Sequence, residues 1–269
     1  MDINHLKEIA KEVRRLSLIL AHDTNSSHTG GALSMVEILT VLYSGVINNS
    51  PQTMKDPERD RFILSKGHCC ASLYSILALK GFFCKEELIR EYGRDGSLFF
   101  THVSHKLNGI ELSTGSLGHG LPVATGMALG AKSKKRDFRV YCLIGDGELD
   151  EGSNWEAIMF SAHNRLDNLC LIVDKNKMQA LGYTKDVLCL DPLDEKFKAF
   201  QWNVIRIDGH DYESIIDAFK QFSETSDKPT VIICDTIKGK GVSYMENELK
   251  WHYSAPNDKL LNQALEELK

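Results

Sequence analysis

Hydrophobic positions follow two different periodicities along the chain. From residue 3 to 21 they recur every three or four residues, as in Leu6, Ile9, Val13 and Leu16, which predicts an amphipathic helix. Later in the chain, short and nearly continuous apolar runs appear, which are typical of strands buried on both faces of a sheet. Strands are predicted at 61–65, 139–144, 169–173, 203–207 and 230–235, and helices at 69–80, from 118 onwards, and at 153–165, 193–200, 211–224 and 258–269. This alternation predicts the α/β class, with a doubly wound, mainly parallel sheet and helices on both of its faces.

Two segments between the predicted strands have a more specific pattern. Ser34 followed three residues later by Glu37 resembles a capping box, so we expect a helix to begin at Ser34. The segment 95–120 has weak periodicity and many Gly, Ser, Thr and His residues. It is predicted to be a long functional loop rather than part of the core.

Composition narrows the possible functions. The chain has 269 residues, of which 42% are hydrophobic and 26% charged, and its net charge is −5. We therefore expect one large domain, and no general binding to nucleic acids or anionic membranes, which would require a basic surface. The sequence shows no secretory signal and no apolar run of the ~20 residues that a membrane helix needs. Its seven cysteines contain no C-x-x-C spacing, which indicates a cytoplasmic, reducing location and argues against zinc.

Candidate ligands for a cation follow two of the predicted strands. Gly145-Asp146-Gly147 comes directly after strand 139–144, and Asn176 follows strand 169–173 closely. Carboxylate and amide oxygens at the carboxyl edge of a parallel sheet suit a cation, such as Mg²⁺, that holds a diphosphate. The backbone carbonyl of Met178 is a candidate third ligand. The alternative is that G-D-G is simply a tight turn and Asn176 a loop residue.

Histidines are concentrated in glycine-rich loops of the first two thirds of the chain. His28 lies in S-H-T-G-G, His68 in S-K-G-H and His119 in T-G-S-L-G-H-G. An imidazole near neutral pH can donate to a substrate oxygen or transfer a proton. A single histidine is more often a surface or core residue, but several in such loops favour a site.

Charged residues near these motifs allow two readings. Glu151 and Glu156 flank Trp155 near the start of a predicted helix, where acidic side chains also suit the helix dipole. Lys238 and Lys240 in K-G-K-G follow strand 230–235 and are candidates for a phosphate contact. For these lysines we favour an exposed, solvated position.

Five ordered motifs together resemble the N-terminal, diphosphate-binding region of transketolases over nearly the whole chain. They are S-H-T-G-G-A-L-S (27–34), D-R-F-I-L-S-K-G-H (60–68), T-G-S-L-G-H-G (114–120), G-D-G-E-L-D-E-G-S-N-W-E-A (145–157) and T-I-K-G-K-G-V (236–242), followed by Trp251-His252. The resemblance implies the thiamine diphosphate-binding fold. It also implies transfer of a two-carbon ketol group from a ketose (phosphate) to an aldose (phosphate), as in the pentose phosphate pathway.

The resemblance further implies a role for each matching residue. Asp146, Asn176 and the Met178 carbonyl would hold Mg²⁺, for which Ca²⁺ or Mn²⁺ can substitute, and through it the diphosphate. The remaining assignments concern the cofactor and the substrate. Gly147, His68 and His252 would contact the diphosphate, Gly115 and Leu117 would seat the aminopyrimidine, His28, His102 and His252 would face the substrate, and Glu151 and Glu156 would join the cofactor sites across a subunit interface.

The chain also departs from the transketolase pattern. Ser27 replaces a Gly, Thr29 replaces a Pro and His119 replaces a Gln. We expect residues 1–269 to form a single diphosphate-binding domain, without the pyrimidine-binding and C-terminal domains of common transketolases. The leading hypothesis is therefore the N-terminal subunit of a split transketolase, active with a separate C-terminal subunit in an α2β2 assembly.

Two alternatives remain open from the sequence. One is a subunit of another thiamine diphosphate enzyme, such as a transketolase for unusual sugars, a deoxyxylulose phosphate synthase-like enzyme or a 2-oxo acid dehydrogenase-like component. The other is a non-catalytic binding or regulatory relative, although Asp146, Asn176, His68 and Glu151 are all retained.

Overall fold

A five-stranded parallel sheet forms the centre of the protein, whose computed structural model describes residues 1–269. The chain has seven strands in all, five of which form this sheet. They are β1 (Arg61–Leu64), β2 (Val140–Gly145), β3 (Leu169–Lys175), β4 (Met178–Gln179), β5 (Gly182–Tyr183), β6 (Asn203–Asp208) and β7 (Thr230–Asp235). In the sheet the order is β1-β2-β3-β7-β6, and every neighbouring pair is parallel. The short strands β4 and β5 pair with each other as a separate antiparallel hairpin. The five predicted strands are confirmed, with ends that differ by one or two residues.

Helices surround the sheet and precede or follow each of its strands. They are α1 (Ile3–Asp23), α2 (Thr29–Leu33), α3 (Val36–Val41), α4 (Cys70–Leu79), α5 (Lys85–Glu91), α6 (Gly120–Ser133), α7 (Gly152–His163), α8 (Thr184–Val187), α9 (Leu193–Ala199), α10 (Tyr212–Glu224) and α11 (Asp258–Glu267). A π-helical turn (Leu42–Val46) and four 3₁₀ turns (Pro51–Thr53, Gly67–Cys69, Gly147–Asp150 and Leu249–His252) complete the regular structure. None of the helices is both long and apolar enough to cross a membrane.

Alternate residues of the central strands face two separate cores. Tyr141 and Leu143 of β2 pack into a core that α1, α3, α4 and α10 cover. Cys142 and Ile144 point the other way, into a core beneath α6, α7 and α9. Both faces are therefore buried, which explains why the strands read as continuous apolar runs. The predicted doubly wound α/β fold is confirmed.

The predicted capping box at Ser34 is wrong. The helix expected to begin at Ser34 is present as α3, but it begins at Val36 after Met35, and the separate helix α2 ends just before Ser34. The Ser34 hydroxyl lies within hydrogen-bond distance of the Gly31 carbonyl (3.0 Å) and of Asp174 Oδ2 (2.6 Å), and Glu37 pairs with Arg14. Both side chains are hydrogen-bonded or paired with other residues of the fold, so neither is free to cap the helix. Helix α5 was not predicted, whereas residues 95–119 contain no helix or strand, as expected.

An ion pair between α1 and α11 leads to a prediction about pH. His22 Nδ1 lies 2.8 Å from Asp23 Oδ1, and His22 Nε2 lies 2.8 Å from Asp258 Oδ1. Hydrogen bonds to Asp23 and Asp258 raise the pKa of His22. Its contribution to stability is therefore complete below about pH 6.5 and is lost as the pH rises through the higher pKa of the folded state.

We expect His22→Gln to lower the free energy of unfolding near pH 6 and to have almost no effect near pH 9. The loss should stay below about 1 kcal/mol because the pair is largely exposed. Urea unfolding at the two pH values measures it, with His5→Gln in the same helix as the control. An equal loss at both pH values would contradict the assignment.

Candidate active site

A cleft of about 270 Å³ lies at the carboxyl edge of the sheet. The loops after β1, β2, β3 and β7 all contribute to it, because parallel strands end at the same edge. Its walls are His28, Gly31, Lys66, His68, Cys69, His102, Gly115, Leu117, Gly145, Asp146, Gly147, Glu148, Asn176, Met178, Gln179, Ala180, Lys238 and His252. The structure thus brings together all of the predicted site residues except Glu151 and Glu156.

Asp146 is a buried carboxylate without an ion-pair partner. It is only 6% exposed, and its oxygens accept hydrogen bonds from the backbone amides of Lys177 (2.6 Å) and Gly147 (3.0 Å). Burial, followed by the charge of Asp174, raises the pKa of Asp146 to about 7. A carboxylate in this position is an expected place for a cation to bind.

The oxygens beside Asp146 fit a divalent metal ion. Asn176 and Met178 line the same cleft, and together with Asp146 these residues have one carboxylate, one side-chain amide oxygen and one backbone carbonyl that can serve as ligands. No group of three or more His, Cys, Asp or Glu residues could hold a metal by itself. A small, hard cation would therefore need further oxygens from a ligand, and Mg²⁺ commonly takes them from phosphates.

Gly147 packs directly against β4 at the edge of the cleft. A Cβ atom built on Gly147 would lie only 2.7 Å from Cβ of Gln179. A side chain at this position would collide with β4, so the close packing of Gly147 against Gln179 requires glycine.

Asp174 fixes the orientation of the Asn176 side chain. It is fully buried, forms an ion pair with Lys66, and accepts hydrogen bonds from Ser34, Thr236 and the Asn176 amide nitrogen (3.2 Å). Because the amide nitrogen of Asn176 donates to Asp174, its oxygen is directed away from that carboxylate. Sequence reasoning missed both Asp174 and Lys66, although each lies within two residues of a predicted site residue.

Four histidines form one group in the cleft. The ring centre of His28 lies 4.7 Å from that of His68, 5.0 Å from that of His252 and 6.2 Å from that of His102. Burial, with the nearby positive charges of histidines and lysines, lowers the pKa of His28 and of His68 to about 4 and that of His252 to about 3. Burial also lowers the pKa of His102. These imidazoles are therefore neutral at pH 7 and can donate or accept hydrogen bonds without carrying charge.

The backbone of His28 has an unusual conformation. Its φ is +71° and its ψ 16°, in the left-handed region that non-glycine residues rarely adopt. The His28 amide donates to the carbonyl of His252 (2.9 Å), and the Ser27 hydroxyl lies 3.0 Å from His28 Nδ1. Thus Ser27, one of the departures from the transketolase pattern, contacts a histidine of the cleft directly. The neighbouring Thr29 is buried, and its hydroxyl has no hydrogen-bond partner.

The preferred reading of Lys238 as an exposed residue is wrong. Lys238 is 2% exposed, and its Nζ lies 2.9 Å from His252 Nδ1 and 3.4 Å from the Met178 carbonyl. Burial lowers the pKa of Lys238. Lys240 does remain partly exposed, next to Glu246.

Glu148, which sequence reasoning also missed, joins two of the motifs. Its buried carboxylate accepts hydrogen bonds from the Ser65 hydroxyl and from the Gly118 amide (3.0 Å). It thereby connects the turn after β2 to the loop that carries Gly115 and Leu117. Glu151, Glu156 and His119 are exposed and lie outside the cleft.

A parallel α/β sheet with oxygen ligands, lysines and neutral histidines at its carboxyl edge is the arrangement expected of a domain that binds a diphosphate cofactor through a metal ion. The family model described as "Transketolase, thiamine diphosphate binding domain" matches residues 5–268. The chain belongs to this transketolase family, and the confirmed resemblance makes it a transferase subunit whose cofactor is thiamine diphosphate.

Relatives of about the same length are named as single subunits of larger enzymes. One such subunit, from the apulose-4-phosphate transketolase of Actinobacillus succinogenes, is 45% identical over 270 residues, which cover 100% of this chain and 98% of that protein. The 6-deoxy-6-sulfo-D-fructose transketolase subunit of Clostridium sp. is 41% identical over 100% of this chain and 97% of that protein. These names imply a separate partner subunit.

Solved transketolases share the fold but are longer. The transketolase of Campylobacter jejuni superposes with a TM-score of 0.94 at 33% identity, over 100% of this chain and 43% of that one. The chain thus spans less than half the length of the solved transketolase.

Proposed function

We propose that this protein binds Mg²⁺ and the diphosphate of thiamine diphosphate, and that with a partner subunit it transfers a two-carbon ketol group from a ketose phosphate to an aldose phosphate. The observation that carries the proposal is the meeting of Asp146, Asn176, Met178 and four neutral histidines in one cleft. Bound thiamine diphosphate would supply the carbanion chemistry of the transfer.

The residues of the chain would bind and orient the reactants. Asp146, Asn176 and the Met178 carbonyl would hold the metal. His68, His252 and the Gly147 backbone would bind the diphosphate, assisted by the positive charge of Lys238.

The other proposed contacts are with the aminopyrimidine of the cofactor, with the substrate and with another subunit. Gly115 and Leu117 would seat the aminopyrimidine, in a loop that Glu148 fixes. His28 and His102 are neutral and would hydrogen-bond to substrate hydroxyl groups without attracting phosphate by charge. Glu151 and Glu156, both exposed near the start of α7, would contact another subunit.

The proposed partner is a C-terminal transketolase subunit that carries the pyrimidine-binding domain, and the proposed assembly is α2β2. Two observations support this proposal. Relatives of equal length are named as subunits, and the chain corresponds to 43% of the solved Campylobacter jejuni enzyme.

For the substrate we propose a ketose phosphate with an unusual skeleton, of the apulose 4-phosphate type. Support comes from the 45% identity to the apulose-4-phosphate transketolase subunit over the whole chain. Ser27 adds to this support, because its hydroxyl lies 3.0 Å from Nδ1 of His28, a histidine that would meet the sugar.

Reconstitution tests the proposal. We expect no ketol transfer by the chain alone, and transfer when it is mixed with the C-terminal subunit, thiamine diphosphate and Mg²⁺. A coupled assay with apulose 4-phosphate, xylulose 5-phosphate and fructose 6-phosphate as donors would identify the substrate, and omission of each component is the control. Transfer by the chain alone at ordinary enzymatic rates, or no binding of the cofactor with the partner present, would refute the proposal.

A further inference from the structure

A buried charged cluster lies beneath the loop 236–241, outside the cleft. It consists of Arg14 in α1, Glu37 in α3 and His210 between β6 and α10. One guanidinium nitrogen of Arg14 lies 2.6 and 2.8 Å from the two Glu37 oxygens, and His210 Nδ1 lies 3.1 Å from Glu37 Oε2. None of the three side chains lines the cleft.

Two hydrogen bonds connect this cluster to the loop on either side of Lys238. The Ile237 amide donates to His210 Nε2 (2.8 Å), and Arg14 Nε donates to the Lys240 carbonyl (2.8 Å). A Cβ atom on Gly241, whose φ is +91°, would lie 2.8 Å from Arg14 Nε. The loop therefore rests directly on the guanidinium group and is held one residue before and two residues after the lysine.

Glu37 determines which nitrogen of His210 carries the proton. His210 Nε2 accepts from a backbone amide, so it has no hydrogen of its own, and the hydrogen of the neutral ring is on Nδ1, facing Glu37. The same carboxylate holds Arg14. One buried glutamate thus sets the donor and acceptor directions of both groups that hold the loop.

We infer that Arg14, Glu37 and His210 are positioning residues that place the Lys238 amine at the diphosphate end of the cofactor cleft; this inference rests on the proposed function. The Lys238 side chain has little space, because a Cβ atom built on Gly30 would lie only 3.1 Å from Lys238 Cγ. The amine reaches both His252 Nδ1 and the Met178 carbonyl from this one backbone position. A shift of the loop would withdraw the positive charge from both contacts.

Substitutions at His210 test the inference in the reconstituted enzyme. His210→Phe removes the acceptor for the Ile237 amide, whereas His210→Gln places an amide oxygen near the position of Nε2. We expect the affinity for thiamine diphosphate, measured by titration, to fall about 10- to 100-fold in H210F and to return close to that of the wild type in H210Q. The KM for the sugar donor should change little. If H210F does not fold, H210N replaces it, because the shorter amide does not reach the Ile237 amide.

A double-mutant cycle with Lys238→Ala asks whether His210 acts through the lysine. We expect K238A and K238A/H210F to bind the cofactor equally, because the lysine that the loop positions is absent from both. If the two losses of affinity multiply instead, His210 acts by another route and the inference is wrong.

Hydrogen exchange separates this inference from the proposed function. In the full chain without cofactor, we expect the amides of 236–241 to exchange faster in H210F than in the wild type, and at nearly the wild-type rate in H210Q. Unchanged exchange in H210F would overturn the inference whether or not the cofactor binds. Failure of the wild-type complex to bind thiamine diphosphate would overturn the proposed function, while the exchange result would still decide the inference.

Discussion

Replacing Asp146 by Asn is expected to reduce ketol transfer by the reconstituted enzyme at least about 100-fold. Loss of a residue that merely supports a metal ligand costs about 10- to 100-fold, and a direct ligand should cost no less. Asn has the same shape but lacks the charge that a divalent cation requires. Initial rates over a range of Mg²⁺ concentrations measure the effect, with Asp217→Asn on the exposed face of α10 as the control.

The same substitution should not destabilise the protein in the absence of metal. Asp146 is buried without an ion-pair partner, so removal of its charge removes a desolvation cost. This gain offsets the loss of one of the two acceptors for the amides of Lys177 and Gly147. In the wild type, Mg²⁺ with thiamine diphosphate should raise the melting temperature by mass action, and in D146N it should not. Full activity of D146N, or an equal rise in its melting temperature, would show that Asp146 holds no metal.

Replacing Asp174 by Asn is expected to produce the largest loss of stability, about 3–5 kcal/mol in the free energy of unfolding. Asp174 is 0% exposed and its partner Lys66 is 3% exposed. Burial alone favours the uncharged forms, but the Lys66–Asp174 pair lowers the pKa of Asp174 and raises that of Lys66, so both are charged in the folded protein. Without the carboxylate, the ammonium group of Lys66 would remain buried and uncompensated.

Urea unfolding of the full chain measures this loss. Glu195→Gln, which breaks an exposed pair with Lys198, is the matched control and should change the stability hardly at all. The double variant K66M/D174N should regain part of the stability, because no buried charge remains. If D174N lost no more than the control, the pair would not be the buried, charged contact described above.

Much of the fold follows from the local pattern of the sequence. The runs 140–144 and 169–173 are apolar at every position because both of their sides are buried, and this predicted the parallel sheet and its helical layers. The sheet then brings the loops after its strands together, so Asp146 and Asn176 were predicted to share one edge. The resemblance to transketolases supplied His102 and His252.

Residues missed by the sequence interpretation depend on contacts between distant segments. Lys66 and Asp174 are 108 positions apart, and Ser34 and Asp174 are 140 apart. Neither the burial of Lys238 nor the use of Ser34 and Glu37 by tertiary partners has a local signature, because lysine and serine look the same in sequence whether buried or exposed. The capping box failed for this reason.

The left-handed backbone of His28 has a consequence for protein engineering. That conformation costs roughly 1–3 kcal/mol for a residue other than glycine, so His28→Gly would relieve strain while removing an imidazole from the cleft. A library screened only for thermal tolerance would therefore enrich inactive variants at this position. Screening for heat resistance should be combined with a selection for turnover, or codon 28 should be kept fixed.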